Sequence, residues 1–66
     1  MKNKRRENLI KFRKSVKKTQ EKMAEKLGIS VIMYKYLELG YKNPSFKTLE
    51  KFKNEFPETS IDKTFF

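Results

Sequence analysis

The side chains of this chain that could do chemistry are charged groups, because its 66 residues include neither cysteine nor histidine. Without thiolate or imidazole groups, zinc and haem sites, nucleophile–base pairs and disulfides are all disfavoured. Most of the eight carboxylates stand beside lysines on expected solvent faces, and no two are placed for acid–base work. A chain this short also leaves little room for a pocket. We therefore expect no catalytic residue, metal site, cofactor or small-molecule ligand.

The positive charge is more informative, because it is concentrated at one end of the chain. Lysine and arginine number 17 against 8 acids, a net charge of +9. Residues 1–18 hold nine bases and one acid, a net of +8, and the remaining residues hold eight bases and seven acids, a net of +1. This asymmetry favours a polyanionic partner. A solvated basic face and an anionic membrane surface are the alternatives on charge alone.

Two glycines and two prolines divide the chain into segments of helical length. No stretch alternates apolar and polar residues for long, so strands are disfavoured and an all-α fold is predicted. The expected helices run from Lys4 to Val16, from Thr19 to Leu27, from after Ser30 to Gly40, from Ser45 to near Phe56, and through a short turn from Ser60. Asn3, Thr19 and Ser30 are expected to cap the first three helices, and Ser45 can start the fourth.

Apolar residues recur at helical spacing within these segments and predict a buried core. In the third segment, Tyr34, Leu37 and the flanking Met33 form one stripe, with Tyr34 and Leu37 in the core. The residues on the opposite side are Ile32, Lys35, Tyr36 and Leu39. The remaining expected core residues are Leu9, Phe12, Val16, Met23, Ala24, Leu27, Phe46, Leu49, Phe52 and Phe56, with Ile61 and Phe65 packing back onto them.

The stretch from Thr19 to Leu39 (TQEKMAEKLGISVIMYKYLEL) predicts two helices joined by a turn of about three residues. Two helices cross closely only where a small residue separates them, and Ala24 is placed there. The turn requires a residue that tolerates positive φ, which Gly28 supplies. This combination is typical of a helix-turn-helix unit. The residues that would anchor its second helix are Ile29, Tyr34 and Leu37.

Over residues 8–65 the chain resembles the phage-repressor and Cro-like (XRE-type) helix-turn-helix family. The resemblance rests on the TQEKMAEKLGIS stretch, on LELGYKNPS, and on the final SIDKTFF. The second stretch is the more specific, because its glycine, asparagine, proline and serine all fall at the expected distances after the recognition helix. The resemblance implies a compact five-helix lambda-repressor-like domain, operator DNA as ligand, repressor or regulator activity, and homodimers.

The resemblance also implies roles for single residues. Arg13 and Glu38 match positions that pair as a partly buried salt bridge. Gln20 matches a position that bonds a DNA phosphate, where a helix N-terminus favours an anion; a neutral surface glutamine is the alternative. The positions that face base edges in the major groove are Val31, Ile32, Lys35 and Tyr36. The positions that contact phosphates in the next loop and helix are Lys42, Asn43 and Lys47.

The outward side of the third segment departs from typical relatives, which carry polar residues there. Val31, Ile32 and Leu39 are apolar, and only Lys35 and Tyr36 are polar. Apolar groups can contact thymine methyls and Lys35 can donate to guanine, so low base discrimination or recognition by DNA shape is expected. A protein-binding patch and incidental exposure remain alternatives for Ile32, Tyr36 and Leu39.

We predict a single domain over residues 1–66, with residues 1–4 as a flexible basic arm. A solvated tail and an arm along a phosphate backbone are both open for Lys2, Lys4, Arg5 and Arg6. The predicted function is a cytoplasmic regulator, most simply a repressor, that binds double-stranded DNA as a homodimer. The residues that would form the dimer contact, or only cap the core, are Ile61, Phe65 and Phe66.

Two other functions compete with this prediction. The first is a protein-interaction module on the same fold, antitoxin-like or a co-regulator, that uses the apolar face of the third helix. The second is a basic helix, residues 1–18, on a membrane surface. No apolar run reaches the roughly 18 residues that a membrane span needs, so no spanning segment is expected.

Overall fold

A computed structural model of the protein describes residues 4–66, which form five helices and, within that range, no strand. The predicted all-α, five-helix architecture is confirmed. None of the helices described has the length and apolar character needed to cross a bilayer. The helices are α1 (Glu7–Ser15), α2 (Gln20–Leu27), α3 (Val31–Leu39), α4 (Phe46–Glu55) and α5 (Ile61–Phe65).

Side-chain caps start four of the five helices, and the caps predicted at Thr19 and Ser30 are confirmed. In each, a hydroxyl oxygen accepts a hydrogen bond from the backbone N–H three residues later, at 3.1 to 3.2 Å. These bonds satisfy first-turn donors that have no partner within the helix. The capping residues are Thr19, Ser30, Ser45 and Ser60.

Helix α1 differs from its prediction, because it begins at Glu7 and not at Lys4. Its N-cap is Arg6, whose side chain makes no capping bond. The backbone N–H of Arg6 instead donates to the carbonyl of Glu38, at 2.8 Å. A contact with a distant helix therefore overrides the local helical pattern of residues 4–6. The proposed cap Asn3 lies outside the described residues.

Three helices end in the same double hydrogen-bonded turn, with a residue of positive φ just past the helix. Gly28 (φ 71°) and Gly40 (φ 80°) take that position after α2 and α3, as predicted for Gly28. After α1 the position is held by Lys17, with φ 59°. The N–H groups of Lys17 and Lys18 close this turn on carbonyls of α1, at 3.0 and 3.2 Å.

The core lies where α2 packs on α3 and α4, while α1 and α5 close the opposite side. Phe52 is fully buried, and its ring meets those of Phe12, Phe56 and Phe65 at centroid distances of 5.0 to 5.4 Å. Edge-on contacts of this kind add to the burial of apolar area. The fully buried or nearly buried core residues are Leu9, Ile10, Met23, Ala24, Leu27, Tyr34, Leu37, Phe52 and Phe65.

The prediction that Phe46 belongs to the core is wrong, since this side chain is 78% exposed. Phe46 is the first residue of α4, and it lies roughly 100° around the helix from the centre of the stripe formed by Leu49, Phe52 and Phe56. Thr48 occupies the buried position of that first turn. In the first turn of α4, the side chain that faces the interior is therefore the polar Thr48 and not the apolar Phe46.

Replacing Lys17 with glycine should raise the free energy of unfolding by about 0.5–1 kcal/mol. Glycine removes the cost of a left-handed backbone, roughly 1–2 kcal/mol for an L-residue, and part of this gain is lost to the freer unfolded chain. Urea denaturation measures the change. The matched control is Lys11→Gly within α1, which should lower the same quantity by about 1 kcal/mol. Destabilisation by both variants would contradict the positive φ of Lys17.

Candidate nucleic-acid interface

Helix α3 has one face fixed in the core and the other directed to solvent. Tyr34 and Leu37 are buried, whereas Lys35 and Tyr36 are exposed and Ile32 is 58% exposed. The cap at Ser30 and the turn at Gly40 define both ends of the helix. The structure therefore brings three of the four residues expected to face bases onto one open surface.

Val31 differs from these three residues, because it is half-buried and packs against the core. As the first residue of α3, it follows directly after the turn between the two helices. Its side chain therefore stabilises the seating of α3, and only its partly exposed edge is open to a ligand. Leu39, near the other end of the helix, is 37% exposed.

A tyrosine that sequence reasoning did not select joins this surface. Tyr41 is 57% exposed, and its ring lies 5.7 Å from that of Tyr36. Its backbone N–H donates to the carbonyl of Tyr36 at 2.9 Å, in the turn centred on Gly40. The sequence signal was the spacing of five residues between Tyr36 and Tyr41, with a helix-ending glycine between them. A turn of this kind folds the residue after the glycine back over the last turn of the helix.

The carboxylate of Glu38 is buried beneath this surface and links three helices. Arg13 Nε on α1 lies 2.6 Å from Glu38 Oε2, and Gln20 Nε2 on α2 donates to Oε1 at 2.9 Å. The Arg13 and Glu38 side chains are only 14% and 5% exposed. This is the predicted pairing of Arg13 with Glu38, joined by an amide from α2.

Burial alone would raise the pKa of Glu38, but the hydrogen bonds from Arg13 and Gln20 outweigh it and the pKa lies below its usual value. The same hydrogen bond from Arg13 to Glu38 raises the pKa of Arg13. Burial, and then the neighbouring Glu38, raises the pKa of Tyr34, whose hydroxyl lacks hydrogen-bond geometry to any described group. Glu38 and Arg13 are therefore both ionised at neutral pH.

Gln20 has a dual position, at the first residue of α2 and at the buried ion pair. One amide N–H is used by Glu38, which leaves its second N–H and its carbonyl oxygen for another partner. A cleft of about 160 Å³ opens beside it, lined also by Lys35, Leu39 and Arg5. The structure thus places Gln20, expected to contact phosphate, beside Lys35, expected to contact bases.

Arg6 does not lie in a solvated tail, which was one of the two alternatives open for this residue. Its guanidinium donates to the carbonyls of Leu37 at 2.7 Å, Lys42 at 3.0 Å and Phe65 at 3.0 Å, and to Asn43 Oδ1 at 3.0 Å. We call this set of contacts the Arg6 clamp. Burial lowers the pKa of Arg6, yet an arginine remains charged in proteins.

The remaining residues expected to contact phosphate are exposed in and after the loop between α3 and α4. Lys42 and Asn43 lie in the loop, and their side chains are open to solvent. Lys47 is in the first turn of α4, beside a separate depression that it shares with Gly28 and Lys51. The structure therefore joins Lys42 and Asn43 through the Arg6 clamp, and places Lys47 next to the turn between α2 and α3.

The ion pair predicts how stability depends on pH. The pKa of Glu38 is lower in the folded protein than in the unfolded chain, where it is about 4.3. The ionised carboxylate therefore stabilises the fold above the unfolded pKa, and this stabilisation is lost as the pH falls through the folded pKa. Replacing Glu38 with glutamine leaves Arg13 unpaired and should cost roughly 3 kcal/mol at pH 7. The difference in the free energy of unfolding between the wild type and Glu38→Gln should become smaller below about pH 4.

Urea denaturation at pH 7 and pH 3 measures both quantities. Glu25→Gln is the matched control, because the Glu25 pair with Lys22 is solvent-exposed, and it should change stability by less than about 0.5 kcal/mol. Equal stability of wild type and Glu38→Gln at pH 7 would show that the buried pair contributes nothing.

Comparison with known proteins agrees with this geometry. A helix-turn-helix family model matches residues 9–63, the greater part of the chain. The uncharacterized HTH-type transcriptional regulator YqaE of Bacillus subtilis (strain 168) is 50% identical over 48 residues, which cover 73% of this chain and 41% of that protein. The chain thus spans about two fifths of the length of this relative. No solved structure matches significantly.

The match extends from α1 into α5 and includes the unit of α2, its turn and α3. Its family is not an enzyme family, which agrees with the prediction that the chain catalyses no reaction. The resemblance inferred from the TQEKMAEKLGIS and LELGYKNPS stretches is confirmed, and the chain belongs to the helix-turn-helix family.

Proposed function

We propose that this protein is a transcriptional regulator that binds duplex DNA by inserting α3 into the major groove. The observation that carries the proposal is the division of α3 into a face locked by Tyr34 and Leu37 and an open face with Ile32, Lys35 and Tyr36. An α-helix fits the major groove, and only a helix held rigidly by its other face can align side chains with base edges.

The open face supports a specific set of contacts. Lys35 can donate to the acceptors of guanine, Ile32 can contact a thymine methyl group, and Tyr36 carries a hydroxyl. Val31, half-buried at the start of α3, would contribute at most an apolar edge. With so few hydrogen-bonding groups, we expect sequence discrimination to depend in part on the shape of the duplex.

Phosphate contacts would supply most of the affinity. Lys42 and Lys47 are exposed cations, one after the end of α3 and the other next to the turn that precedes it. Asn43 and Gln20 each keep an amide donor free. Cations that neutralise phosphates release counterions, and this release drives binding. The large positive charge of residues 1–18 adds to the attraction.

We further propose that the protein acts as a homodimer in the cytoplasm, where it represses transcription by occupying its operator. A single domain of this size presents one short recognition helix and contacts few base pairs. Two copies on a two-fold operator, with half-sites about 34 Å apart, would double the contacts. Phe66, which is 76% exposed, and the half-buried Ile61 are the residues that could join them.

A protein-interaction module on the same fold is the second candidate, and exposed apolar groups favour it. The exposed apolar groups on α3 are Ile32, Tyr36 and Leu39. The ring of the exposed Tyr41 lies 5.7 Å from that of Tyr36. Clusters of this kind mark interfaces on small domains. A protein partner that competes with DNA, and whose binding does not depend on Lys42 and Lys47, would support this function.

The first test is the dependence of DNA affinity on salt. Each lysine that neutralises one phosphate contributes about 0.9 to the magnitude of the slope of log affinity against log salt. Lys42→Ala and Lys47→Ala should each reduce the slope by about 0.9 for one bound protomer, or about 1.8 for two. Fluorescence anisotropy measures it, and a flat wild-type slope would contradict DNA binding.

The second test separates base contacts from phosphate contacts. Lys35→Ala and Tyr36→Ala should weaken binding to a duplex selected by the wild-type protein more than binding to a scrambled duplex, by roughly 1–3 kcal/mol for Lys35. Lys53→Ala is the matched control, because this exposed lysine lies beside the loop between α4 and α5. Equal losses on both duplexes would remove Lys35 and Tyr36 from base reading.

A further inference from the structure

We infer that Arg6 is a positioning residue for DNA binding, which fixes the loop of Lys42 and Asn43 relative to helix α3. The inference rests on the proposed function, and it assigns a role to a segment that precedes the first helix. The Arg6 clamp connects the last turn of α3, through Leu37, to the loop, through Lys42 and Asn43. No residue of the clamp needs to touch a base for this effect.

The geometry of the clamp determines how Asn43 is presented. A guanidinium carries only donors, in a planar fork, so the amide oxygen of Asn43 must face Arg6. The amide nitrogen of Asn43 then points away from the clamp with both of its N–H groups unused by Arg6. A phosphate oxygen can accept from such a group, and the clamp thus sets the direction of the donor before DNA arrives.

The backbone of Lys42 is held in the same way, because its carbonyl accepts from Arg6 Nη1. The same nitrogen donates to Leu37 in the last turn of α3, at a shorter distance. One nitrogen atom therefore joins the recognition helix and the loop directly. Displacement of the loop relative to α3 would break at least one of these two bonds.

A second anchor fixes Arg6 itself. The N–H of Arg6 donates to the Glu38 carbonyl, and the carbonyl of Lys4 lies against Gly40, where an added Cβ would come within 1.9 Å of it. The chain can cross the end of α3 at this place only because residue 40 has no side chain. At the other end of the clamp, Arg6 Nε donates to Phe65 of α5. Arg6 is therefore held by α3 and α5 as well as by the loop that it restrains.

Side-chain charge alone does not account for this arrangement. Arg5, the preceding residue, carries the same charge and its nearest acid is Glu7, at 3.8 Å in an exposed pair. Arg6, by contrast, makes four hydrogen bonds to three separate parts of the fold. A role in general attraction of DNA would need only an exposed cation, whereas a positioning role needs this fixed fork.

A double-mutant cycle on the full 66-residue chain tests the inference. The proteins are wild type, Arg6→Ala, Asn43→Ala and the double variant, and the ligand is a duplex selected from a random pool by the wild type. Arg6→Ala should weaken binding about tenfold, and the double variant should bind within about twofold of Arg6→Ala. Circular dichroism sets a temperature at which all four proteins are folded, so that loss of fold does not enter the comparison.

The conservative variant Arg6→Lys separates geometry from charge. Lysine keeps the positive charge but cannot span the acceptors on α3, the loop and α5. The Arg6→Lys variant should therefore bind DNA as weakly as Arg6→Ala. Lys53→Ala, which removes one exposed cation elsewhere, should bind as the wild type does. If Arg6→Ala does not fold, the cycle is run with Arg6→Lys in its place.

Each outcome decides the inference. The inference would be overturned if the losses of binding free energy of the two single variants simply add in the double variant. It would also be overturned if Arg6→Lys binds DNA as tightly as the wild type, because Arg6 would then act only as a cation. Wild-type affinity of a folded Arg6→Ala would also overturn it, while salt-dependent binding by the wild type would leave the proposed function intact. Failure of the wild type to bind any duplex would overturn the proposed function and this inference together.

Discussion

The buried carboxylate of Glu38 is the interaction on which the arrangement of this domain depends. It lies on α3 next to the core residue Leu37, and it is bonded from α1 by Arg13 and from α2 by Gln20. A charge removed from water is tolerated only when its partners are in place, so the pair is satisfied in one relative arrangement of the three helices. Apolar packing of α2 on α3 would tolerate small rotations of α3, and the directional bonds to Glu38 do not. The carboxylate thus determines which side chains of α3 reach the surface.

The rigidity of α3 comes from its surroundings and not from the helix itself. A helix of nine residues is marginal in water, because the cost of starting it is not repaid over so short a length. Here Ser30 caps its start, the turn at Gly40 closes its end, and the Arg6 clamp takes up a carbonyl of its last turn. The cation of Arg6 also lies at the negative end of the helix dipole. The first two of these contacts close the ends of α3, and the third connects it to the segment that precedes α1.

Local chemistry explains why most of the fold could be predicted from the sequence and why part of it could not. Single residues and their neighbours in sequence determine where α2 to α5 start and where α2 ends, so these bounds could be predicted. The residues that start the helices are Thr19, Ser30, Ser45 and Ser60, and Gly28 ends α2. The wrong predictions concern residues whose position depends on packing against parts of the chain that are distant in sequence. Residues 4–6 have a helical pattern but cross the end of α3, and Phe46 has an apolar side chain but starts its helix outside the core. Tyr41 differs from these residues, because the local turn at Gly40 sets its position, and its spacing from Tyr36 across that glycine was a signal present in the sequence. The surface role proposed for Lys35 and Tyr36 remains a prediction.

The open face of α3 explains why such anchoring would matter for recognition. Ile32 and Leu39 offer only apolar contact, so in the proposed complex discrimination among bases would fall mainly on Lys35 and Tyr36. Hydrogen bonds to base edges are directional, and with two polar side chains a small tilt of the helix cannot be compensated by other bonds. A surface rich in polar side chains can lose one bond and keep specificity, whereas the open face of α3 would lose specificity in the proposed complex. A recognition helix with few hydrogen-bonding groups therefore requires a more exact placement relative to the phosphate contacts, and Glu38 from within and Arg6 at the helix end are the groups in this fold that can impose it.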